Sequence, residues 1–240
     1  MACPAQGAPV CFDFFVDMPS GQPEGALDFE GVSVDFGTAR QEFHVGLGAV
    51  AVPGNIAGLL HVHERLGCAP CRDVLAPAIQ AAREGVPISS QQAYVIRLLE
   101  PILTREPAAA ALFASGGEML GEGDTMRMPE FADFLDALAD AGPNLFYHEL
   151  AEQVTGPFHE SGLLRAPDLK GYIVHEREPL VADFNNHIVL LNPPPAASGP
   201  LMAFTLALLD SVEVIDPETL VRAFAFTNAF REDPQADWAG

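Results

Sequence analysis

The sequence predicts an α+β fold, with helices layered on a modest sheet. Three observations carry this. Residues 51–165 keep a helical period with caps and stops, and residues around 172–191 drop to the alternating period of strands. The first fifty residues set short β-like runs among Gly and Pro. The 49% of hydrophobic residues is spread along the chain. A body of this size buries roughly three quarters of the surface its unfolded chain exposes.

The elements follow in order. Val10–Val16 and Val32–Phe36 read as edge strands. A helix opens at Asn55, with Ile56, Leu59, Leu60 and His63 on one face and Gly67 as its stop. A second runs from Asp73 to Arg83, with Leu75, Ala78, Ile79 and Ala82 inward and Gly85 beyond its end. Ser89 or Ser90 opens a third, which Pro101 ends or kinks, and Pro107 starts another that reaches Phe113. Gly116–Asp124 is glycine-rich and acidic, lacks the lysine of a phosphate cradle, and reads as a loop. Helices over Pro129–Ala141, with Phe131, Phe134, Leu135 and Leu138 inward, and over Asn144–Val154 follow. Tyr172–Arg177, Leu180–Phe184 and His187–Leu191 read as strands, the last two joined by Asn185-Asn186, a dipeptide that tolerates positive φ. Leu201–Leu209 and Asp216–Phe230 return to helix. The whole chain, 1–240, is one region: divergent strands and loops over 1–50, mainly helix over 51–165, strands and then helices over 166–240.

Charge excludes some functions. Twelve Lys plus Arg against thirty-three Asp plus Glu give a formal charge of −21, and Lys170 is the one lysine. Such a surface repels phosphate backbones and anionic lipid, so neither nucleic acid nor membrane is expected as a partner. No run of eighteen apolar residues and no secretory leader is evident, so the default location is cytoplasmic. Four cysteines in so long a chain do not make a disulfide framework.

Five segments share a further pattern. They are Val52-Pro53-Gly54-Asn55-Ile56-Ala57-Gly58; Leu75-Ala76-Pro77-Ala78-Ile79 with Ala82 and Gly85; Phe146-Tyr147 leading a helix towards Gly156; Asp168-Leu169 with Tyr172, Arg177, Pro179 and Leu180; and Pro193-Pro194-Pro195 with Ser198-Gly199. In this order they resemble the large subunit of the γ-glutamyltransferases. Each segment has a structural meaning of its own: turns at Pro53-Gly54, close packing at Ala57 and Gly58, an extended stretch at the prolines. The resemblance implies an N-terminal-nucleophile hydrolase with an αββα body, here incomplete: the helical layer and part of the sheet. It implies a γ-glutamyl compound as substrate and a small catalytic subunit as partner, whose first threonine attacks the γ-glutamyl amide. A threonine hydroxyl is a weak nucleophile, and its own α-amine serves as base only at the start of a chain.

Two departures qualify the resemblance. Thr38, Thr104, Thr125, Thr155, Thr205, Thr219 and Thr227 are the threonines, and none is followed by Thr-His, the family's cleavage signature. No catalytic residue is therefore assigned, and the chain alone is expected to be inactive. The family also places an arginine after an Asp-Phe pair, where its fork grips a carboxylate. Here Asp13-Phe14 is followed by Phe15, and Leu27-Asp28-Phe29 by Glu30. Substrate-binding residues stay unassigned.

His61, His63, Cys68 and Cys71 pass the count for a zinc site. Two histidines two apart on a helix point to different faces, so no metal is expected and packed cysteines are the default reading. No cofactor is expected either. His44, His148, His159, His175 and His187 are scattered, and no Gly-x-Ser-x-Gly recruits one as a base. Arg231-Glu232-Asp233-Pro234 resembles the family's arginine and Asp-Pro, and reads equally as a helix end. A truncated, non-catalytic homologue that binds or scaffolds is the competing reading; a cysteine-based redox or zinc protein is a third. The predicted strands are too few to close a two-sheet sandwich, so self-association through an uncovered apolar face is expected.

Overall fold

The computed structural model describes residues 1–232. In chain order, β1 is Cys11–Asp13, β2 Glu30–Asp35 and β3 Arg40–Val45; then come α1 Asn55–Leu66, α2 Cys71–Glu84, β4 Val86–Pro87, α3 Ser90–Leu98, α4 Glu100–Leu103 and α5 Pro107–Phe113. β5 (Ala114–Ser115), β6 (Glu118–Met119) and β7 (Thr125–Met126) precede α6 (Pro129–Ala141). A π-helical turn, Leu145–Glu149, leads to α7 (Ala151–Thr155), α8 (Phe158–Ser161) and α9 (Ala166–Lys170). β8 (His175–Arg177), β9 (Leu180–Phe184), β10 (His187–Leu191), α10 (Ser198–Asp210) and α11 (Pro217–Glu232) complete the order. The class is α+β. No helix among the described residues is long and apolar enough to cross a membrane. The residues group into two compact units, Phe14–Ile173 and Met1–Asp13 with Val174 onward.

Within Phe14–Ile173 the α2–α6 pair encloses one core. Ile79 and Ala82 meet Ala132, Leu135 and Leu138 there, and Ile56 and Leu60 pack against them. Arg72 bridges Asp136 and Asp140 at 2.7 and 2.6 Å, and Arg83 reaches Asp133 at 2.6 Å. These pairs are exposed, so the apolar seam, not the ions, holds the helices. Ser89 caps α3 through a reciprocal bond set with Gln92, as the serine before the helix predicts. Ile88, Ala93, Ile96 and Leu120 form a second core under α3. A third gathers Val52, Tyr147, Ala151, Leu164, Ala166 and Leu169.

Several expectations change. Leu59 and Phe131 are exposed, because the inward faces of α1 and α6 are lined by smaller neighbours, Gly58 and Ala132, that admit closer contact. Gly116 and Gly117, both at positive φ, form the two-residue turn of a minimal β5–β6 hairpin where a plain loop is expected. The helix read over Asn144–Val154 is interrupted by the π-helical turn. In place of a common sheet, the strands pair in twos: β2–β3, β4–β7 and β5–β6 in this unit.

In the other unit β1 pairs antiparallel with β8, and β9 with β10 around Asn185 and Asn186, both at positive φ as the dipeptide predicts. Arg177 binds Asp13 at 2.7 Å across the β1–β8 pair. α10 packs on the hairpin and on α11. Thr205 and Thr227 share a hydrogen bond of 2.7 Å between these helices, and Phe204 stacks on Phe230. The outer hairpin face keeps Val181 and Ile188 in solvent, and Met202, Val221, Phe224 and Phe226 are exposed on the helices. Apolar residues lie all round α10, a pattern expected of a helix covered on every side.

Candidate functional site

The best-built locus lies where the Pro53-Gly54 turn enters α1. The segment after Phe14 runs over this turn, joined to it by Val52 N–H to the Asp17 carbonyl at 2.9 Å and Asp17 N–H to the Val52 carbonyl at 3.2 Å. A Cβ at Gly54 would overlap the Phe14 carbonyl and the Tyr172 hydroxyl, and one at Gly58 would overlap the Phe14 ring. Both glycines are therefore required by close approach.

Two tyrosines fix this arrangement. Tyr147, carried on the π-helical turn, donates its hydroxyl to the Pro53 carbonyl at 2.6 Å and accepts from Ala57 N–H at 3.3 Å. Burial pushes its phenol up, against the opposing pull of the Ala57 N–H, so it stays a protonated strut. Its ring stacks on Tyr172, whose hydroxyl donates to the Phe15 carbonyl at 2.7 Å. Further along, Asp168 accepts from Ser20 N–H and hydroxyl at 3.1 and 2.5 Å. The Arg165 guanidinium binds the carbonyls of Phe158 and Leu164 at 3.0 Å each, and that of Gln22.

A backbone tied at Phe15, Asp17, Ser20 and Gln22 presents two apolar side chains to solvent: Phe15 is 80% exposed and Met18 85%. Phe15 is one of the two residues at which the resemblance leads one to expect an arginine. The alternative placement is differently occupied. Asp28 accepts from Leu47 N–H at 2.9 Å and from Arg105, which also meets Glu106 at 2.9 Å and Glu30 at 3.7 Å. The Leu47 N–H and then Arg105 hold the Asp28 carboxyl below its ordinary range. Arg105 lines an open groove of about 320 Å³ with His44, Val50 and Ile102, but its charge is matched by carboxylates, so the groove offers no anion site.

A depressed carboxylate contributes stability above its unfolded pKa of about 3.9, and loses it as pH falls through the folded value. Asp28→Asn is therefore expected to lower Tm at pH 7 and to show a smaller deficit near pH 3. Thermal melts across that window check this; an equal deficit at both pH values would assign the loss to shape alone.

The structure does not bring His61, His63, Cys68 and Cys71 into one cluster. Among the described residues no group of three or more His, Cys, Asp or Glu could hold a metal. His63 instead binds the Ala69 carbonyl at 2.9 Å. The packed-cysteine expectation for this pair is corrected: Cys68 is exposed and Cys71 half-buried, because both lie at the surface link between α1 and α2. Arg231 and Glu232 lie at the end of α11, and Asp233-Pro234 falls outside the described residues. The tyrosine struts stand in the sequence pattern as fold residues only. Their signal was the hydroxyl on an otherwise apolar stretch, which needs a partner once buried.

The γ-glutamyltranspeptidase family model matches residues 26–232. This chain belongs to the γ-glutamyltranspeptidase family. It is 31% identical over 179 residues to an acylase ACY 1 proenzyme of a Pseudomonas species, covering 74% of this chain and 32% of the relative. It is 31% identical over 163 residues to glutathione hydrolase 2 of Arabidopsis thaliana, covering 67% and 28%. The chain thus spans about a third of the length of the curated relatives it matches. The γ-glutamyltranspeptidase of Helicobacter pylori superposes with a TM-score of 0.82 at 21% identity, over 97% of this chain and 69% of that one. That likeness carries the N-terminal-nucleophile-hydrolase fold class; the family rests on the sequence match.

Proposed function

We propose that this chain supplies the large-subunit portion of an N-terminal-nucleophile enzyme, which moves γ-glutamyl groups from glutathione-like donors to water or amino acids. A small subunit that begins with the nucleophilic threonine completes it. The observation that carries this reading is the family match over residues 26–232 combined with the state of the threonines. Thr104, Thr155, Thr205 and Thr227 turn their hydroxyls back to the carbonyls of Glu100, Ala151, Leu201 and Ala223, at 2.7 to 3.0 Å. An internal threonine of this kind carries no free α-amine to act as the base for its hydroxyl. The exposed apolar surface on the β9–β10 hairpin and on α10 and α11 supports a covering partner.

A chromogenic γ-glutamyl anilide tests the reading. Residues 1–240 alone are expected to give no turnover, and the chain co-expressed with a matching small subunit is expected to give burst kinetics of an acyl-enzyme. Light scattering on the same samples is expected to find self-association of the chain alone, relieved by the small subunit. Turnover by the isolated chain would overturn the proposal. A clean, inactive monomer that ignores the small subunit would favour a non-catalytic homologue, the reading that Phe15 in place of arginine supports.

A further inference from the structure

We propose that Cys68 and Cys71 form a reversible disulfide by exchange with small-molecule disulfides such as oxidised glutathione. The inference is independent of the acyl-transfer reading and rests on the α1–α2 link. Both cysteines reach solvent there, while Cys11 is buried. Two residues separate them, and the chain bends at Ala69 before α2 begins at Cys71.

The link is held on both sides of Cys68. Gly67 N–H closes the end of α1 on the His63 carbonyl at 2.7 Å, and the His63 ring nitrogen Nε2 binds the Ala69 carbonyl at 2.9 Å. A carbonyl only accepts, so the ring holds its proton on Nε2. One histidine thus fixes the residues flanking Cys68, and the first turn of α2 fixes Cys71. A disulfide accepts a narrow range of geometries, so a short link held in this way limits how the two sulfurs approach; the Cys68 thiol gives up only a weak contact, 4.0 Å to the Leu66 carbonyl, when the ring closes.

The exchange balances in two steps. The Cys68 thiolate attacks one sulfur of the small disulfide, and the other sulfur leaves as a thiol. The Cys71 thiolate then attacks Cys68 Sγ; the Sγ–Sγ bond forms and the second small thiol leaves. The protein loses two electrons, the small disulfide gains them, and the two protein thiol protons end on the two released thiols. Cys68 is the entry point because it is the more exposed.

The test incubates the reduced chain with oxidised glutathione, blocks the remaining thiols and maps the peptides by mass. The expected product is an internal Cys68–Cys71 bond, reversed by reduced glutathione, beside a plain glutathione adduct on exposed Cys3. Cys71→Ser should trap the adduct on Cys68. Cys68→Ser should slow modification of Cys71 at least several-fold. His63→Ala should raise the ratio of trapped adduct to closed ring several-fold without changing the rate at Cys3. Adducts on both Cys68 and Cys71 with no internal bond would overturn the proposal, as would a pair left untouched while Cys3 reacts. A Cys68→Ser chain that reacts at Cys71 as fast as the wild type would overturn the order of attack.

Discussion

Replacing Gly199 with alanine is expected to destabilise the chain by about 3 kcal/mol, at the upper end of what overpacking costs. A Cβ there would overlap the carbonyl oxygen of Asn192, and the nearest neighbours are three backbone atoms of that residue. Backbone cannot swing aside as a side-chain tip can. Asn192 is held in turn, directly after β10, with its side-chain oxygen facing the Cys11 thiol at 3.6 Å. To make room, α10 would have to lift from the hairpin, loosening the Thr205–Thr227 contact behind it. A fall in Tm of roughly 6–12 °C corresponds to that cost for a chain of this size. Gly121→Ala is the control, since its Cβ would meet nothing nearer than the Asp124 carboxylate at 3.6 Å. Equal melting of the two variants would show that α10 has slack the structure does not display.

Leu169→Ala is expected to cost about 3 kcal/mol by a different route. Leu169 is 0% exposed and sits among Val52, Tyr147, Leu164 and Ala166. Its removal leaves a void beside the tyrosine that holds the Pro53 carbonyl, so the damage reaches the segment presenting Phe15. Leu169→Met, which nearly conserves volume, should cost less than about 1.5 kcal/mol. Denaturant melts give both values, and a difference below about 1 kcal/mol would mean that the pocket collapses around alanine.

Local chemistry was legible where it acts alone. Gly67 and Gly85 end α1 and α2, Ser89 caps α3, prolines open α5 and α6, and Asn185-Asn186 turns the hairpin. What periodicity could not show is which neighbour comes closest. Leu59 and Phe131 satisfy the helical pattern as well as any core residue, yet Gly58 and Ala132 take the inward contact because small residues let elements approach. The candidate site was legible only as a chain of motif residues. That Tyr147 and Tyr172 form a relay from Pro53 to Phe15 depends on partners 94 and 157 residues away in sequence, a distance no local rule spans. The exposure of Cys68 and Cys71 escaped for the related reason that cysteine is ordinarily a buried residue.

The pairing of β1 with β8 has a consequence for biosynthesis. Cys11 meets Arg177, and the unit that includes them draws on Met1–Asp13 and on residues from Val174 onward. Residues 1–13 are therefore made before the strand they pair with, and wait while Phe14–Ile173 is made. At about 5–20 residues per second that interval is on the order of ten seconds. During it the central unit can fold, and the loop to be closed shrinks from a free coil to a compact body with its ends fixed. The order of synthesis thus favours folding of the central unit before Cys11 meets Arg177, which shortens the flexible loop that this pair closes. β1 is then expected to dock after the central unit has formed.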